Sequence, residues 1–106
     1  MWVPADPVIN PTAGQELAGV EFTGGGITHV TVLVSTTLAF DAILQLIPAG
    51  GGAPLAAQIL PVNASLFASP RLGPINHRKG ERLRIVSRNV LVAEVNASLF
   101  LEDAAR

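Results

Sequence analysis

His29 and His77 are the only histidines in a 106-residue chain without cysteine, so any metal chemistry would have to start from them. Zinc needs three or four converging ligands, commonly at spacings such as His-x-His or His-x-x-x-His. Neither spacing occurs, and no metal or other cofactor is expected; His29 reads as a strand surface residue and His77 as part of a basic loop. The carboxylates Asp41, Glu81 and Glu94 fall on strands or strand edges. Two of them could serve glycoside hydrolysis only at a fixed separation. A sugar site also wants aromatic platforms, and the chain has no tyrosine, one tryptophan and four phenylalanines. No serine lies in a Gly-x-Ser-x-Gly elbow, and neither glycine triplet (24–26, 50–52) leads into Gly-Lys-Ser/Thr and a helix, which a phosphate loop requires. Two Asn-Ala-Ser triplets, at Asn63 and Asn96, match the weak glycosylation pattern and read as outward strand positions. The expectation is a protein that is not an enzyme.

Charge carries more information than any motif. Residues 1–70 hold four acids and no base, residues 71–88 six bases and one acid, and residues 89–106 three acids and one base. The formal net charge of −1 therefore hides strong polarity along the chain. Such a molecule meets a second copy, or an acidic partner, in one preferred orientation. Arg82, Arg84 and Arg88 share a strand face at i, i+2 and i+6, and like charges so placed repel unless something negative lies opposite. Within the chain Glu94 or Glu102 on a neighbouring strand would supply it; between chains, the acidic part of another subunit. With net negative charge and one short basic stretch, nucleic acid is not an expected partner.

Charged residues are 14% of the chain and hydrophobic ones 49%, against about 25% charged in ordinary domains. Much of the surface is then small, apolar or hydroxylated, which suits a subunit partly covered by others. The longest apolar stretch, Leu38 to Ala49, is broken by Asp41, Gln45 and Pro48, so no membrane span is expected. The start, MWVPADP, has neither a basic nor an apolar signal region.

The elements follow from period and punctuation. Residues 1–16 carry prolines at 4, 7 and 11 and read as an extended N-terminal arm, with Trp2, Val3, Val8 and Ile9 as apolar contacts made either to its own domain or to a neighbour. Residues 17–106 form a single domain. Alternation predicts strands over Leu17–Phe22, Thr28–Ser35, Leu38–Ile47, Leu55–Val62, Ala64–Ala68, Glu81–Arg88 and Val90–Leu101, with residues 69–80 a loop. The fold class is all-β: an antiparallel β-sandwich, jelly-roll-like, of seven or eight strands. The hexapeptide VNASLF occurs at 62–67 and 95–100, as if two strands held equivalent sites in two sheets.

With its arm, short alternating strands, glycine-rich turns and a Lys79-Gly80-Glu81-Arg82-Leu83 turn entering two closing strands, the chain resembles small jelly-roll virion proteins of tailed bacteriophages or gene transfer agents. These are of the capsid decoration, head-fibre or spike-base type. The resemblance implies a non-enzymatic virion component, assembled in a bacterial host cytoplasm, that forms trimers or pentamers and docks on a major capsid or other virion protein. Trp2, Val3, Val8, Ile9, Arg82, Arg84 and Arg88 are the expected contacts. The alternative reading is a β-sandwich module that binds a small molecule or carbohydrate.

Overall fold

In the computed structural model, which describes residues 1–104, ten strands form two antiparallel sheets packed face to face. The strands are β1 (Trp2–Pro4), β2 (Val8–Ile9), β3 (Glu16–Glu21), β4 (Gly26–Thr36), β5 (Phe40–Ile47), β6 (Ala56–Val62), β7 (Ser65–Ala68), β8 (Leu72–His77), β9 (Arg82–Ser87) and β10 (Glu94–Asp103). In the front sheet β10 lies between the arm strands β1 and β2 and the long strand β4, and β4 pairs on its other side with β7 and β8. The back sheet runs β3-β9-β5-β6.

The count is ten rather than seven or eight because two strand positions are broken. β1 and β2 pair in series along β10, and β7 and β8 in series along β4. Taken as eight positions, the two sheet orders are those of a jelly roll. Of the arm expected over 1–16, residues 1–9 supply the extended strands β1 and β2 along their own domain; the chain then bends at Asn10 and turns at Thr12–Gln15, and Glu16 already belongs to β3. Val3 stands opposite Leu99 and Val8 opposite Val95, and Pro11, fully buried, turns the chain from one sheet to the other.

The alternation read from the sequence is the packing pattern. Val30, Val32 and Val34 face inward at 0, 0 and 1% exposure and meet Leu83, Ile85, Leu99 and Ala42 in one core. Branched side chains suit this pleated, buried surface. In β10, Val95, Ala97, Leu99 and Leu101 face inward.

Three expectations are corrected. The loop expected over 69–80 contains β8: Gly73 and Pro74 stand in a bulge opposite His29, between the pairs Val30–Leu72 and Thr28–Ile75. An edge strand tolerates proline at such a place. The last strand starts at Glu94, not Val90; Leu91 and Ala93 are buried but tied by hydrogen bonds to Pro11 and Asn10 of the arm. The VNASLF copies are not equivalent. The first crosses from the back sheet at Val62 to the front sheet at Ser65, while the second lies wholly in β10. On β4, Thr36 pairs with Ser65 of one copy and Val95 of the other, so the matching letters are three positions out of step.

Candidate functional site

The two sheets present different outer faces. On the back sheet, β9 places Arg82 and Arg84 outward, and both are engaged within the chain. Arg82 donates to both oxygens of Glu16 on β3, Nε to Oε1 at 2.8 Å and Nη2 to Oε2 at 2.6 Å. This pair lowers the Glu16 carboxyl below its ordinary pKa, chiefly through the hydrogen bonds from Arg82, and raises Arg82 by the same contacts. Arg84 Nε donates to Gln45 Oε1 at 3.0 Å on β5. Arg88, one residue past the end of β9, faces Asp41 at 3.5 Å. The acids opposite the arginines are thus Glu16 and Asp41, which pair with them, and Glu21, the register partner of Arg82. They are not Glu94 or Glu102, because β10, which carries those two, belongs to the other sheet.

The front sheet has an uncharged centre. Three rows cross it: Trp2–Phe100–Thr31, Pro4–Ser98–Leu33–Ala68 and Asn96–Ser35–Leu66. None of these ten side chains is ionisable. Trp2 is 52% exposed, Phe100 38% and Leu66 73%, and the Trp2 and Phe100 rings stand 6.4 Å apart, tilted at 49°. Of the four apolar arm residues, Val3 and Val8 are used against the chain's own core, while Trp2 and Ile9 point outward. Phe100, Leu33 and Leu66 complete the surface. Their signal in the sequence is faint: Phe100 falls on the polar phase of the β10 alternation.

Charges lie around this face. Glu94 and Glu102 are the outward acids of β10, on either side of its uncharged stretch. Arg71 precedes β8, and Arg78 with Lys79 follows it. None of these three bases forms an ion pair with a described residue.

The chemistry-bearing residues are scattered. His29 Nδ1 lies 3.3 Å from the Leu72 carbonyl. His77 stacks on Phe22 with ring centroids 3.5 Å apart; its Nδ1 donates to the Gly24 carbonyl and its Nε2 meets the Thr28 hydroxyl at 2.8 Å. Asp41 and Glu94 lie on opposite outer faces, and Glu81 is buried in the β8–β9 turn, accepting from the Arg78 N–H at 2.8 Å. Among the described residues no three His, Asp or Glu side chains stand together as metal ligands. Asn96 is outward on β10 and Asn63 exposed at the β6–β7 corner.

At the flank where β6 and β8 are the free edges of their sheets, a shallow depression of about 850 Å³ is lined by Ile27, Leu46, Leu55 and Ala56, with His77, Arg78 and Glu81 at its rim. A second depression of about 300 Å³, lined by Leu44, Leu72, Pro74, Ile75 and Leu83, adjoins it through Leu46 and Ala56. Compared with known proteins, the chain matches no family model and no curated protein.

Proposed function

We propose that this protein is a structural assembly module, a jelly-roll sandwich that self-associates through the outer face of its front sheet and docks on a larger protein shell. The observation that carries the reading is the uncharged face built on Trp2, Phe100, Leu33 and Leu66. A solvated sheet face normally alternates apolar-in with polar-out and carries charge. Four strand positions at about 4.8 Å by the five residues from Asn96 to Phe100 at about 3.3 Å give an uncharged centre of about 320 Å² before side-chain relief, so its charged surroundings must join the contact to reach the roughly 800 Å² per partner of a stable interface. Trp is enriched among the anchors of such contacts, and Phe among the residues at their core. In its finer form the reading is a virion component of the decoration, head-fibre or spike-base type, assembling as a trimer or pentamer; the resemblance in pattern supports it.

Native mass spectrometry and light scattering test self-association. An assembly of defined stoichiometry, lost on Trp2→Ser or Leu66→Asp, is the expected result; a monomer across the micromolar range overturns it. The second reading, small-molecule binding, has the apolar flank depressions in its favour. Their linings contain no Phe, Trp or Tyr, which argues against sugars. An apolar dye that binds there with one-to-one stoichiometry would support it.

A further inference from the structure

We infer that the self-association is head-to-tail: the Trp2–Phe100 pair of one copy enters the flank depression beside Arg78 of the next, with Glu102 facing Arg78 and Lys79. The inference rests on the assembly reading above. Its ground is complementarity of charge around two separate apolar places on one molecule. The entering part is half-exposed, apolar and acid-flanked, because Glu102 stands two residues beyond Phe100 on the same outward side of β10. The receiving part is apolar with an excess of base at its rim: Ile27, Leu46 and Leu55 line the depression, Arg78 is on its rim and Lys79 follows in the turn, while the one acid there, Glu81, is buried and accepts from the Arg78 N–H. Neither base has an ion-pair partner among the described residues, whereas Arg82 and Arg88 do.

The two places lie at opposite margins of the front sheet, β1 at one and β8 at the other. A contact between different patches that is not reciprocated about a two-fold axis is heterologous. It leaves one unused patch at each end, so it continues until rotation closes a ring or a filament grows. A two-fold contact of front face on front face would instead bring the Glu94 and Glu102 rims of two copies together, which like charge disfavours.

The test is charge reversal at exposed positions, read by native mass and sedimentation. Glu102→Lys makes both patches basic, and Arg78→Glu with Lys79→Glu makes both acidic. Each variant alone is expected to associate at least about tenfold more weakly than the unaltered protein at low salt, with unchanged circular dichroism. An equimolar mixture is expected to recover association, because basic then meets acidic at every contact. If the unaltered protein is monomeric, the assembly reading itself fails. If it assembles but the reversals change nothing, or if it stops at a dimer, self-association stands and the head-to-tail contact is overturned.

Discussion

The Glu16 carboxylate reaches over Gly19 to grip the Arg82 guanidinium in a two-pronged ion pair. Its register partner on β9 is Val86 and Arg82's is Glu21, so the contact is diagonal across the sheet. Gly19 leaves the room: a Cβ there would lie 2.9 Å from Glu16 Oε1 and 3.0 Å from Arg82 Nη2. Fork-shaped pairing of this kind is the stronger form of a carboxylate contact.

Glu16→Gln is expected to destabilise the fold by about 0.2–1 kcal/mol at neutral pH, the scale for a pair about one-third exposed. Folding lowers the Glu16 pKa, so the unfolded chain binds the extra proton first. The stabilisation is complete above the ordinary value of 4.5 and is lost as pH falls through the lower native value. Urea unfolding of both proteins across acid pH should show the gap narrowing in that window. A constant gap would show that the charge plays no part.

Ser69→Ala is expected to cost about 1–3 kcal/mol, the penalty for a buried backbone donor left unpaired. Ser69 occupies the break between β7 and β8. Its N–H donates to the Val32 carbonyl at 2.9 Å, and its hydroxyl accepts from the Val32 N–H at 2.9 Å while donating to the Pro70 carbonyl at 2.8 Å. The substitution should also speed hydrogen exchange at Val32, while Val34, deeper in the β7 pairing, stays protected.

The arm gives a paired prediction. Val3→Ser or Val8→Ser, at positions packed on the core, should lower the melting temperature through about 1–3 kcal/mol of lost apolar burial. Trp2→Ser and Ile9→Ser, at outward positions, should leave monomer stability within about 0.5 kcal/mol and weaken association instead. Equal effects from both sets would mean the arm does not divide its faces in this way.

Trp2 is the single tryptophan, so its emission reports directly on the front face. Raising protein concentration should shift the emission to the blue as the indole loses water. A spectrum independent of concentration, in a protein shown to assemble, would place the contact elsewhere.

Sandwich and strand phases were legible because β4, β5, β9 and β10 keep strict alternation with branched residues on one side. Val30, Val32 and Val34, or Leu83 and Ile85, needed no partner to be read as inward. What could not be read was pairing between distant segments. Glu16 and Arg82 are 66 residues apart and meet because the jelly-roll order sets β3 beside β9. No local pattern encodes that. β8 was hidden because Gly73 and Pro74 signal a loop, yet a bulge on an outer strand absorbs both. The face residues Phe100 and Leu66 are hard to read for the opposite reason: apolar side chains on a strand suggest the interior, and these stand on its far side.

The sandwich's four margins are unequally guarded. Two are split into short pieces, at β1/β2 and β7/β8, and a third, β3, is kinked between Glu16 and Ala18. Only β6 among the described margins runs unbroken for seven residues, Ala-Ala-Gln-Ile-Leu-Pro-Val, with no ionisable side chain and one proline to blunt it. Of the four margins it is the one most open to pairing with a further strand. A lysine at Ile59 would be the natural gatekeeper for anyone engineering this scaffold to remain clear at high concentration.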